Sequence, residues 1–143
     1  MRAAHHTLGT AQRTETHMAT RTATDATFND IVEKNATVLV DFWADWCGPC
    51  KRFAPVFEAA SEQHADVVFA KVDTEAEPAL AAAFGIRSIP TLLVFRDQVL
   101  IFQQAGSLPA AALEDLIEKV KALDMDKVRA EIAEHEKLQA AAS

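Results

Sequence analysis

"VLVDFWADWCGPCK", residues Val38 to Lys51, places one acid inside an apolar run and two cysteines three positions apart just beyond it. Thr37 to Trp43 is β-branched and aromatic, too short for a helix and apolar on both faces, a pattern that predicts a central strand covered on both sides. From Pro49 to about His64 the residues Phe53, Val56, Phe57 and Ala60 recur at spacings of three and four. That spacing predicts a helix, with Pro49 suited to its first turn and Pro55 expected to kink its interior. Cys47 therefore stands at or beside a helix N-terminus. Unpaired amides and the macrodipole favour an anion there, and a thiolate is both the nucleophile and the form such a position stabilises. Cys47 reads as the attacking thiol. Cys50, one turn further in and less accessible, reads as the resolving thiol that attacks a mixed disulfide formed on Cys47.

Outward from this junction the chain alternates. Thr24 to Asn35 carries Phe28, Ile31 and Val32 at helical spacing, with Thr27 as a cap and Asn35 as the stop. Asp66 to Asp73 repeats the strand character, Glu75 to Phe84 is an Ala-rich helix with Pro78 near its start, and Gly85 is a stop signal. "TLLVFRDQVLIFQQ", Thr91 to Gln104, gives two apolar runs joined at Asp97-Gln98, an antiparallel hairpin without the usual turn glycine. A helix follows Gly106 and Pro109 and runs to about Leu123. The economical architecture is α/β, a central mixed sheet with helices on both faces. Asp124 onward forms a further amphipathic segment with Met125, Val128, Ile132 and His135 on one stripe. It is expected as an appended helix, covering local apolar surface or, as the sharper alternative, docking a partner.

Composition narrows the function. With 143 residues the chain has room for one domain with a real core. Its net charge of −7 argues against nucleic acid or an anionic membrane as the main partner, and no apolar run reaches the roughly 18 residues of a membrane span. "MRAAHHTLGTAQRTETHMAT", residues 1–20, has no apolar signal core. The expected compartment is the cytoplasm, with a transit peptide as the lesser alternative. Residues 1–23 are expected to be a disordered extension, with Met18 an alternative initiator, followed by one domain over 24–123 and a helical extension over 124–143.

Two cysteines cannot make a disulfide framework. A structural bridge closing so small a loop would contribute about 2 kcal/mol, near the low end for disulfides. A zinc site would need two more ligands, and neither a second cysteine pair nor a His-x₃₋₅-His pair is present. Gly48-Pro49 between the cysteines shapes a turn rather than a packed core. Asp41 shares a strand face with Leu39 and Trp43, so burial raises its pKa, and an unpaired buried carboxylate is costly. Lys71, on the face of Phe69 in the next apolar strand, is the candidate partner. Pro90 precedes a strand in "SIPTLLVF", where a proline fits at a strand start or edge.

"WCGPCK" at Trp46 to Lys51, preceded by "VDFWA" and followed in order by "FAKVDT", "IRSIPT" and Gly106, strongly resembles the thioredoxin family from about Thr24 to Leu123. Thioredoxins are themselves a standard example of a low-pKa Cys-X-X-Cys site. The resemblance implies the thioredoxin fold and a protein-disulfide reductase acting through a Cys47–Cys50 redox pair, with no metal. It implies that Asp41 accepts the Cys50 proton during resolution and that Lys71 modulates it. It also implies a cis Pro90 facing the cysteines, leaving the Ile89 backbone free to pair with an extended substrate, and a docking surface of Trp46, Gly48, Pro49, Ile89, Pro90 and Gly106. No cofactor is expected to be bound. Electrons are expected from NADPH through a separate thioredoxin reductase, disulfide-containing proteins are the expected substrates, and the chain is expected to be a monomer. The alternatives are a disulfide oxidase or isomerase, and a redox-independent binding or chaperone subunit. Gln98 departs from the family pattern, which commonly has glycine in that turn.

Overall fold

The strands Arg21–Thr22 (β1), Thr37–Trp43 (β2), Val68–Asp73 (β3), Thr91–Arg96 (β4) and Val99–Ala105 (β5) hydrogen-bond in the order β1-β3-β2-β4-β5 in a computed structural model that describes residues 19–142. β1, β3 and β2 run parallel, whereas β4 and β5 are antiparallel additions. The helices are Phe28–Lys34 (α1), Gly48–Gln63 (α2), Pro78–Ala83 (α3), Ala110–Lys121 (α4) and Met125–Ala142 (α5). The apolar run after Thr37 thus occupies the middle of the sheet, as its two-faced pattern predicts.

Period-two alternation along β2 divides the core. Val38, Val40 and Phe42 meet Phe28 and Val32 of α1 and Leu80 of α3 on one face. Leu39 meets Phe53 and Phe57 of α2 and Leu113 and Ile117 of α4 on the other. Asp41 shares the second face, an acid on an otherwise apolar surface. The two helices of that layer are tied at their ends. The His64 ring lies 2.8 Å from Glu114 Oε1 and 2.9 Å from Lys121 Nζ, and Arg96 donates to the Val120 carbonyl at 2.6 Å.

Several boundaries differ from the expectation. Residues 1–18 of the expected extension lie outside the described residues, but Arg21 and Thr22 are paired in register with Ala70 and Lys71. Ala23 is fully buried and donates to the Lys71 carbonyl at 2.8 Å, so ordered structure begins before Thr24. A two-residue strand has no periodicity to detect; the exposed edge of β3 recruits it. α3 begins at Pro78 rather than Glu75, because the Asp73 side chain and carbonyl take the amides of Glu75, Ala76 and Glu77 into a turn. The hairpin closes where expected, with Asp97 and Gln98 at φ 48° and 71°. Two left-handed residues match the strand twist without glycine. Tertiary ties hold the turn: Asp97 N–H donates to the Ala36 carbonyl at 2.7 Å, and Arg129 donates to the Asp97 carbonyl at 2.9 Å.

α5 does little covering. Met125 is buried and Val128 half-buried, whereas Ile132 and Leu138 are exposed to 39% and 62%. The stripe packs against the body only in its first turn. Among the described residues no helix is long and apolar enough to cross a membrane.

Gln98→Gly is expected to stabilise the fold by up to about 1 kcal/mol, since a residue with a Cβ pays roughly that in the left-handed region. The urea midpoint checks it. Truncation after Arg129 is expected to leave the thermal midpoint unchanged, because residues 130–142 are all exposed.

Candidate active site

The central strand ends at Trp43, and four residues later Cys47, with extended backbone, occupies the N-cap of α2. Its sulfur accepts the Cys50 N–H at 3.1 Å, taking the place a Ser or Asp oxygen fills in an ordinary cap. Pro49 in the first turn has no amide to leave unpaired. The two sulfurs are bonded to each other across a Cα separation of 5.2 Å. Both cysteines are buried, while Trp46 beside them is 69% exposed and Gly48 and Pro49 lie at the surface.

The loop into β4 supplies the opposite wall. Cys47 Sγ lies 3.6 Å from the Ile89 carbonyl oxygen, and the Ile89–Pro90 bond is cis. Gly106, at φ 101°, donates to the Pro90 carbonyl at 2.8 Å, a backbone conformation for which glycine is suited. A groove of about 310 Å³ runs beside the disulfide between Trp46, Thr74 and the segment Ile86 to Ile89.

Behind the cysteines, Asp41 is completely buried, and neither carboxylate oxygen has a hydrogen-bond partner among the described residues. Burial pushes its pKa up from 3.8 to about 7; Lys71 pulls it down and Glu58 pushes it further up. Asp41 and Lys71 are register partners on β2 and β3. The Lys71 ammonium is turned elsewhere, 3.7 Å from Glu58 Oε2 and 5.2 Å from the centre of the Trp43 ring. A cavity of about 120 Å³ has Trp43, Cys50, Ala54 and Lys71 in its wall.

Comparison with known proteins agrees with this arrangement. The thioredoxin family model matches residues 19–119. A putative thioredoxin 2 of Streptomyces coelicolor is 57% identical over 113 residues, covering 79% of this chain and 84% of the relative. Thioredoxin 1 of Synechococcus elongatus is 44% identical over 98 residues, covering 67% and 92%. A mutant thioredoxin from Halobacterium salinarum superposes with a TM-score of 0.68 at 39% identity, covering 73% of this chain and 92% of that one. The chain belongs to the thioredoxin family. It has the thioredoxin fold with an extra C-terminal helix, and it is a thiol–disulfide oxidoreductase with a CxxC active site and protein-disulfide reductase activity.

Within this thioredoxin-family site the structure gathers Trp46, Cys47, Gly48, Pro49, Cys50, Ile89, Pro90 and Gly106 around the strand-to-helix junction. Asp41 and Lys71 are adjacent in register but form no direct ion pair within 4.0 Å among the described residues. The adjacent strands bring Lys71 beside Asp41 as expected, but the pair makes no direct contact. The ammonium instead faces Glu58, an acid on α2 that sequence reasoning missed. Cys50, Ala54 and Glu58 at i, i+4 and i+8 share one helix stripe, a signal available in the sequence. Arg87, Thr74 and Ser88 in the groove wall were also missed. Thr74 and Ser88 show no helical or strand periodicity that marks them.

The raised Asp41 pKa makes stability depend on pH. The folded state holds a proton that the unfolded chain releases, so this contribution is fully present below about pH 4 and is lost as pH rises through about 7. The displacement corresponds to about 4 kcal/mol as an upper figure. For the oxidised protein, the stability of Asp41→Asn relative to the parent is expected to increase by up to that amount between pH 4 and pH 8. Denaturant titration at the two values checks it; a pH-independent difference would contradict the buried, unpaired carboxylate.

Proposed function

We propose that Cys47 is the nucleophile and Cys50 the resolving thiol of a general protein-disulfide reductase, with Asp41 the proton acceptor for Cys50. The observation that carries this reading is the Cys47 sulfur at the α2 N-cap, accepting the Cys50 N–H at 3.1 Å. A thiolate formed there keeps that hydrogen bond and gains the favourable end of the helix dipole. Cys50, one turn inside the helix, has no such cap position, so its deprotonation needs a base.

In the reducing direction the Cys47 thiolate attacks one sulfur of a substrate disulfide, forming a mixed disulfide and expelling the first substrate thiolate. Cys50 then gives its proton to Asp41, attacks Cys47 Sγ and expels the second substrate thiolate. Two electrons pass to the substrate, and the enzyme is left with the Cys47–Cys50 bond present in the structure. Asp41 suits the step because its pKa of about 7 lies much closer to that of a thiol than an ordinary carboxylate's does. Lys71 modulates it through its charge.

The docking face consists of Trp46, Gly48, Pro49, Ile89, Pro90 and Gly106. Ile89 precedes the β4 ladder, which begins at Thr91, so an extended substrate segment can add alongside it as a strand would. NADPH reaches the oxidised enzyme through a separate thioredoxin reductase, with no cofactor resident on this chain. The cytoplasm is the compartment in which such a reducing cycle runs, and the protein acts there as a monomer.

Cys47→Ser is expected to abolish turnover of a disulfide-linked protein by NADPH and reductase. Cys50→Ser is expected to stop at a mixed disulfide, visible as a covalent adduct in non-reducing mass spectrometry. Full turnover by Cys50→Ser would overturn the assignment. Asp41→Asn is expected to slow turnover about tenfold or more and to remove the rise in rate as pH increases through 7. An unaltered pH–rate profile would exclude Asp41 as the base.

A further inference from the structure

Lys71 has two acids within reach, and it is turned to the less buried one. Its register partner across the β2–β3 ladder is Asp41, whose carboxylate has no hydrogen-bond partner among the described residues, yet its ammonium lies 3.7 Å from Glu58 Oε2 on α2. The Trp43 ring supplies a second tether, with the ammonium 5.2 Å from its centre. Glu58 follows Cys50 and Ala54 on the same helix stripe, so the helix that carries the resolving cysteine also carries the acid that engages the lysine.

We propose that Glu58 is a positioning residue: by engaging Lys71 from α2 it withholds the ammonium from Asp41, leaving that carboxylate unpaired and available to the Cys50 proton. This rests on Asp41 being the proton acceptor. The physical reason is competition. A carboxylate in direct contact with an ammonium is a weaker base, whereas a buried carboxylate without a partner is a stronger one. Glu58 loses little by pairing, since its side chain remains 47% exposed and partly solvated. Asp41 would have to be approached through the protein interior.

Among the described residues, few charged or titratable groups face Asp41. β3 contributes Lys71, and α2 contributes Glu58 and the cysteine pair. Asp45 and Lys51 line the neighbouring cavity, while β4 places the apolar Leu92 opposite Asp41. Removing the Glu58 charge therefore acts in one direction by two routes. It removes a nearby anion, and it frees Lys71 to approach Asp41; both favour the ionised carboxylate. The second route alone requires the lysine.

A titration of the Asp41 side-chain carboxyl carbon by NMR, in the full-length oxidised protein labelled at aspartate, separates the routes. The oxidised form contains no titrating thiol to couple to Asp41. Glu58→Gln is expected to lower the midpoint by about one pH unit, and Lys71→Met to raise it. In the Lys71→Met background, Glu58→Gln is expected to move the midpoint by less than half of its effect in the parent. An unmoved midpoint in Glu58→Gln, or an equal shift with and without Lys71, would overturn the positioning role. The outcome is independent of turnover. Should Asp41→Asn leave the pH–rate profile unchanged, the proton-acceptor reading fails while the titration still decides whether Glu58 governs Asp41 through Lys71.

Discussion

The sulfur at the N-cap of α2 couples the architecture to the chemistry. The orphan amides of a helix start must be satisfied, and here the Cys50 N–H is satisfied by Cys47 Sγ rather than by a hydroxyl or carboxylate. The cap can do so only because β2, buried in the middle of the sheet, delivers the chain to one place beside α2. Phe53 and Phe57 then hold α2 against Leu39 and Phe69. Packing that seats the helix also seats the dithiol.

The same strand carries the principal conflict in the fold. A carboxylate on the face of Leu39 opposes the burial that makes β2 central, and its two oxygens find no donor among the described residues. In the folded state the conflict is reduced by protonation, since burial holds Asp41 near pKa 7. An acid at such a position is a poor choice for stability and a suitable one for moving a proton near neutral pH. Stability and chemistry therefore depend in opposite ways on the same ionisation.

Much of the fold was legible because it rests on local signals. The limits of β2, the helix after Pro49 and the hairpin at Asp97-Gln98 follow from periodicity and turn chemistry. The cysteine pair at the junction could be read from the same patterns. β1 was not legible, since two residues without periodicity become a strand only when the edge of β3 is beside them. Nor was the φ of Gln98, a residue held left-handed in a turn tied to Ala36 and Arg129. The amphipathic stripe of α5 suggested coverage of the body, yet whether a stripe has anything to cover is set by the direction in which the helix leaves Leu123.

Sequence alone determined the alternation of strands and helices from Thr24 onward, the central place of Thr37 to Trp43, and the dithiol at a helix start, because hydrophobic period, proline and cysteine spacing act within a few residues. Tertiary structure decided what lies close across the sheet. It paired Ala23 with Lys71, set Ile89 against Cys47 and left Asp41 without a donor among the described residues. It also turned Lys71 toward Glu58 rather than Asp41. Those outcomes depend on distances between side chains remote in the chain, and the balance of desolvation and charge over a few ångströms is not encoded in any local pattern.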